Sequence, residues 1–436
     1  MRNSQTVNNL IEAQFHYFES GSPEKAATIV GRLMEPLYNL GRYPELLGIL
    51  RNTIEKVDDL DSRFYIYQAR ALMALGRADE ALAILQLVHF EVEDDPELQA
   101  AILVDKGGAL RRMGEFWRAD EIIKDYEEAY RIYSELSPLT ESEADKKIFL
   151  ENTATCLFGE GTVYQYFLDE PGKAIEKYYQ AQEAFGQVQS PDGIADCTKQ
   201  IGEIYANRRF STFYDRDKAE ILLKRALDVF ESINYQKGVL ETLYQLGRLR
   251  RDNQAQARKL FERYLELAGQ LGLIREEAVA KRHLAELRFQ EARQGEPASV
   301  DVPEVYANVT RLLNEAITVL QLFEFDIWSR RVLVNCYYQM GLVLLAQDQN
   351  ETALENFKRG LQVSDEPVFE GRFLSDVRRR TLLLLSAIQL MLLMEDQLPA
   401  IEELLATHLA DFELLGLPYP APSQVREVIA RLKKGE

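Results

Sequence analysis

The chain is short of the residues on which enzyme chemistry is usually built. Among 436 residues there are 3 cysteines, 4 histidines and 2 tryptophans. Cys156, Cys197 and Cys336 lie far apart and are odd in number, with no CxxC pair. That excludes a disulfide framework and a thiolate metal site, and points to reduced, structural thiols. The histidines (His16, His89, His283, His408) are scattered along the chain, and no HExxH, GxSxG, phosphate-binding loop or GxGxxG context accompanies them. The expectation is a protein that is not an enzyme and needs neither metal nor cofactor. Positive charge is also in deficit, with 51 Lys plus Arg against 70 Asp plus Glu and a net charge of −19. Such a balance argues against nucleic acid and anionic membranes as partners. The longest apolar run, Leu382–Met394, falls short of the roughly 20 residues a membrane span needs. The opening "MRNSQTVNNLIEAQFHYF" has no continuous apolar core of the signal-peptide kind. A cytoplasmic location is therefore expected. Strand signals are missing too: no alternating β-branched run and no Asn-Gly hairpin.

What the chain has in abundance is small residues at recurring places. "LGRYPELLGIL" (Leu40–Leu50) and "LGRADEALAIL" (Leu75–Leu85) share a frame, and their glycines are 35 residues apart. The residue opening the second apolar run, Leu46 and Ala81 here, recurs as Ala119, Ala174, Ala219, Ala257, Ala316, Ala353 and Ala400. About 12 residues ahead of most of these stands another small residue: Ala69, Gly107, Gly161, Gly202, Gly247, Ala285, Gly341 or Ala387. Each lies in an apolar stretch of helical period. The pattern predicts one unit used repeatedly, two amphipathic helices packed antiparallel where small residues let their backbones approach. One pair cannot bury both faces, so pairs must stack.

These residues resemble the tetratricopeptide repeat (TPR) family. In "YYQMGLVLLAQDQNETALENFKRGL" the positions Tyr337, Met340, Gly341, Leu344, Ala353, Phe357 and Gly360 match its consensus offsets. The resemblance implies an all-α, right-handed superhelical solenoid of about nine stacked antiparallel helix pairs plus caps. The spacing is irregular, from 35 residues (Leu46 to Ala81) to 59 (Ala257 to Ala316). Insertions fall at 137–145, 208–217 and 294–303. "QSPDGIADCTKQIGEIY" and "NYQKGVLETLYQLGRL" are similar to the longer-helix TPR variants of regulatory scaffolds and of the sensor arms of STAND-type ATPases. The expected organisation is one continuous array: a three-helix start over 1–57, irregular repeats over 58–414, and a capping helix over 415–436 with Ser423 as its N-cap.

In such an array the first helix of each pair lines the concave side. Counting from its small residue selects Lys199, Gln200 and Asn207 around Gly202, and Tyr244, Gln245, Arg248 and Arg251 around Gly247. The same count gives Arg282 and His283 around Ala285, and Asn335, Tyr338 and Gln339 around Gly341. This polar, amide-rich and locally basic set suggests a protein or peptide partner, acidic or with a free carboxylate. A carboxylate clamp of the chaperone-binding TPR proteins is not implied, because Glu203, Gln245, Val279 and His283 replace all but Lys199 of it. A sparser front set (Arg63, Tyr67, Arg70, Asp105, Arg111, Arg112) reads as surface ion pairs, and "RRR" at 378–380 as the first turn of a buried helix. The function expected is a non-enzymatic interaction scaffold or regulator. Two alternatives remain: the sensor arm of a STAND-type signalling ATPase, suggested by "FESGSPEKAATIVGRLMEPLYNLGRYPELLGIL", and a catalytic TPR protein similar to the peptide-regulated response-regulator phosphatases.

Overall fold

The computed structural model describes residues 2–89, 92, 94–294, 301–323, 326–364 and 374–391, with five isolated positions between 401 and 408. The expected anchor Ala400, the expected cap over 415–436 with Ser423, and most of the 294–303 insertion lie outside the described residues. The chain divides into two compact units, Met1–Leu273 and Ile274–Glu436. Unit 1 contains α1 (Arg2–Glu19), α2 (Pro23–Asn39), α3 (Tyr43–Lys56), α4 (Arg63–Ala74), α5 (Ala78–His89), α6 (Pro96–Met113) and α7 (Ala119–Leu136). It continues with α8 (Glu143–Tyr166), α9 (Pro171–Gln187), α10 (Pro191–Ala206), α11 (Arg216–Ser232), α12 (Gln236–Leu249) and α13 (Gln254–Gln270). Unit 2 contains α14 (Ile274–Gln294), α15 (Val302–Leu320), α16 (Ile327–Leu345), α17 (Asn350–Ser364) and α18 (Leu374–Met391). No strand occurs among the described residues.

Within each unit consecutive helices pack as hairpins. The even-numbered helices also pack on one another, α2 through α12 in unit 1 and α14 through α18 in unit 2, and so form an inner row. The doubled Leu-Gly-Arg phrase builds the hairpin turns. Gly41 and Gly76 have φ of 73° and 78°, the left-handed conformation that only glycine adopts without steric cost. Arg42 N–H then bonds back to the Leu37 carbonyl at 3.0 Å, and Arg77 N–H to that of Leu72 at 2.9 Å. This is the Schellman closure of a helix end.

The recurring small residues sit where the hairpin helices meet. Ala69, Ala81, Ala174, Ala219, Ala257, Ala285, Ala316 and Ala353 are completely buried. A Cβ added at Gly161 would lie 2.7 Å from Tyr178 Cε1, and one at Gly247 would lie 2.8 Å from Phe261 Cζ. The ring of Phe357 stands closer still over Gly341. Aromatic rings from the second helices thus rest on the backbone of the first. They bury large apolar area, and stabilise each hairpin at the cost of allowing nothing bigger than hydrogen at the contact. In α18, Leu383, Leu384, Leu385, Ala387, Ile388 and Met391 have no exposed surface, so the apolar run after the arginines is a core helix.

Candidate functional site

The inner row places polar side chains wherever a first helix turns a face away from its partner. In unit 1, Lys199 of α10 is 2% exposed, with its ammonium 3.0 Å from Asp196 and bonded to Glu241 of α12. Burial alone would lower its pKa, but the two carboxylates outweigh that and raise it, so the side chain is charged. Burial raises Asp196 and Glu203 above the usual carboxylate range, against the pull of Lys199. Glu241 keeps 42% of its side chain exposed; burial pushes it up, but Lys199 and Lys237 prevail and bring it to about 2. Gln200 and Glu203 both accept from the Tyr166 hydroxyl of α8, at 3.1 and 2.7 Å.

Lys199 and Gln200 therefore tie α8, α10 and α12 together. Lys199 does not offer a free cation to the inner face, because Glu241, one repeat further on, reaches back to it. The remaining expected residues of this unit lie nearer solvent. Arg248 spans the Tyr244 ring at 5.5 Å and donates to Gln245 Oε1 at 3.3 Å. Asn207 ends α10, where its side chain accepts from Arg209 N–H at 3.1 Å, and Arg251 lies exposed in the turn after α12.

The front set faces the same interior. Arg70 binds Asp105 at 2.7 Å and covers the Tyr67 ring at 5.3 Å, and Arg63 meets Glu97 at 4.0 Å. The charge of Arg112 on α6 reaches Glu241 on α12. The α2–α3 turn also meets the end of α13, where a Cβ on Gly41 would be 3.4 Å from Leu271 Cδ1. The first and last hairpins of unit 1 thus meet at the α2–α3 turn.

In unit 2 the expected residues form a second cluster. Arg282 of α14 is 7% exposed and binds Glu286 at 3.1 Å, with one guanidinium nitrogen 3.0 Å from His283 Nδ1. Cys336 of α16 lies within reach of these charges; burial pushes its thiol up to about 12, with Arg282 pulling the other way. Asn335 and Gln339 flank Cys336 on the same side of α16. Asn335 Nδ2 donates to the Arg331 carbonyl at 2.7 Å. Asn335 Oδ1, Gln339 Oε1 and Arg282 Nε are all buried and have no hydrogen-bond partner. Tyr338 is buried beside Phe357, with the Arg379 guanidinium 4.9 Å from its ring centroid.

Arg282, His283, Asn335, Tyr338 and Gln339, selected from the sequence, lie together on α14 and α16, whereas Glu286, which pairs with Arg282, was missed. Sequence reasoning also missed Asp196 and Glu241, which decide what Lys199 does, and Tyr166, which holds Gln200 and Glu203. Asp196 could have been found, three residues before Lys199 and one helical turn away; Glu241 and Tyr166 lie on neighbouring repeats and leave no local signal. All three thiols are free and buried, and no metal-binding group of His, Cys, Asp and Glu occurs among the described residues. No helix among them is long and apolar enough to cross a membrane.

No protein-family model and no curated protein matches the chain. Among solved structures, a Rap protein complexed with competence and sporulation factor is similar at 14% identity, over 86% of this chain and 98% of that one, with a TM-score of 0.50. Aspartyl phosphate phosphatase F from Bacillus subtilis aligns at 13% identity over 85% of this chain and 97% of its own, with a TM-score of 0.44. A tetratricopeptide repeat protein from Parabacteroides merdae aligns at 16% identity over 71% and 97%, with a TM-score of 0.34. The likeness is one of fold: the chain has the architecture of TPR-type helical-repeat proteins.

Proposed function

We propose that the chain is a non-enzymatic, cytoplasmic TPR-type interaction protein that holds a peptide or an extended protein segment on the α14–α16 face of unit 2. The observation that carries this reading is the trio of buried, unpartnered polar atoms: Arg282 Nε, Asn335 Oδ1 and Gln339 Oε1. A buried polar atom without a partner costs about 1–3 kcal/mol, and three on facing helices need a reason. A bound main chain supplies one. Asn335 and Gln339 are four residues apart, about 6 Å along a helix at ~1.5 Å per residue. Alternate N–H groups of an extended peptide recur about every 6.6 Å, so two of them reach both acceptors. A peptide carbonyl then accepts from Arg282. The Rap structure solved with competence and sporulation factor is a protein of similar fold with a bound partner, which supports this reading.

The test is retention of a synthetic random decapeptide pool by the wild type and by Gln339→Met, read by mass spectrometry. Methionine has the shape of glutamine without its unpaired polar atoms. The expected result is at least 10-fold weaker retention together with a melting temperature equal to or above that of wild type. Equal retention by the two proteins would move the site elsewhere, and a large fall in melting temperature would mean that Gln339 is structural.

A further inference from the structure

The front set contains one cation that its ion pairs leave over. Arg111 lies one turn after Gly107 on the inner side of α6, and its Nε is buried without a hydrogen-bond partner. Three nearby acids pair with other cations: Asp105 with Arg70, Asp125 with Lys106, and Glu121 with both Arg118 and Lys106. Its surroundings are tyrosines. The Tyr126 ring of α7 passes between two glycines, with its hydroxyl 3.1 Å from where a Cβ on Gly107 would be and its ring closer still to Gly159 of α8. Tyr126 is 3% exposed, and its hydroxyl lies against Gly107, one helical turn before Arg111. The Arg111 charge is felt at Tyr126, Tyr166 and Tyr178. Two of these hydroxyls are already used, Tyr166 on Gln200 and Glu203, and Tyr178 on Gln165 at 2.6 Å.

We infer that Arg111, with the Tyr126 hydroxyl, is a binding site in unit 1 for a single carboxylate, carried by a small organic acid or by an acidic peptide. The guanidinium offers two parallel donors in a plane, which is the shape of a carboxylate, and a tyrosyl hydroxyl adds a third donor from the side. A phosphate monoester suits the site less well. Its tetrahedral oxygens match a planar guanidinium and one hydroxyl less closely than a planar carboxylate does. The glycines at 107 and 159 are part of the device, since a methyl group at either would collide with the Tyr126 side chain and displace its hydroxyl. This site is separate from the α14–α16 cluster and does not depend on it.

The experiment is thermal melting of the full chain at constant ionic strength, in chloride alone and with glutarate, inorganic phosphate, or either of two peptides. The peptides are acetyl-Gly-Gly-Glu amide and its glutamine counterpart. Wild type, Arg111→Gln and Gln339→Met are compared. Glutarate or the Glu peptide should raise the melting temperature of wild type and of Gln339→Met, with apparent affinity at least 10-fold weaker in Arg111→Gln. The Gln peptide should give no response that Arg111→Gln weakens. A response to the Glu peptide alone identifies a peptide as the source of the carboxylate; a response to glutarate as well admits a small acid. An equal response of Arg111→Gln, no response in wild type, or an Arg111-dependent response to phosphate without one to carboxylates would each overturn the assignment.

Discussion

Lys199 shows how a residue's neighbours, rather than its position, decide what it can do. Its register relative to Gly202 is that of a groove-lining residue, yet its ammonium is buried between Asp196 and Glu241. Taking that charge out of water is tolerable only because both carboxylates accompany it. Glu241 is the informative partner, because its folded pKa of about 2 is below that of a free glutamate. A lowered folded pKa contributes stability that is present above the unfolded value and is lost as the pH falls through the folded one. Glu241→Gln should accordingly lower stability by roughly 1–2 kcal/mol at pH 7, with Asp196 still in place to limit the loss. The gap to wild type should close between about pH 4.5 and pH 2, as Glu241 itself becomes protonated. Urea denaturation across that range measures it, and a gap independent of pH would mean that Glu241 acts through packing rather than charge.

At the scale of the helix hairpin, the turn was legible in some places and hidden in others, for a single physical reason. Where the left-handed residue is glycine, as at Gly41 and Gly76, the turn leaves a letter in the sequence that repeats with the fold. Asp169, Gln189, Asn234 and Asp348 have φ between 55° and 59° in the turns after α8, α9, α11 and α16. Backbone closures of the same kind follow them, such as Ser190 N–H to Phe185 O at 3.0 Å and Tyr235 N–H to Phe230 O at 2.9 Å. These turns share the geometry of those at Gly41 and Gly76 but carry no common residue, whereas a third Leu-Gly-Arg, at 246–248, lies inside α12 and makes no turn. The difference is testable by exchange. Gly76→Ala places a Cβ in the left-handed region and should cost about 1 kcal/mol in thermal denaturation. Gln189→Gly relieves the same strain but frees the unfolded chain, so it should leave the melting temperature unchanged or slightly higher. A loss at Gln189→Gly equal to that at Gly76→Ala would mean that the Gln189 side chain, not its backbone, holds the turn.

For the molecule as a whole, the repeat was readable because the small residues and the aromatic rings over them obey short-range rules. The contents of the inner face were only partly so. Arg282, Asn335 and Gln339 gather on adjacent first helices, where counting from Ala285 and Gly341 finds them. The role of Arg111 depends on which carboxylates Arg70 and Lys106 take, and that is settled between repeats. The same nearest-neighbour construction governs how damage spreads. A methyl group at Gly341 collides with the Phe357 ring, which is 1% exposed and tilted against Tyr338 at 6.0 Å. Overpacking of this kind costs about 1–3 kcal/mol. In a stacked array that cost enters through one hairpin and its immediate interfaces, because each pair touches only its neighbours. Hydrogen exchange on Gly341→Ala should therefore show protection falling most in α16 and α17, less in α15 and α18, and not at all in α3, α4 and α5. A uniform loss across all these helices would mean that the chain opens as one cooperative body, and stacking of locally stabilised pairs would then be the wrong description of what holds it together.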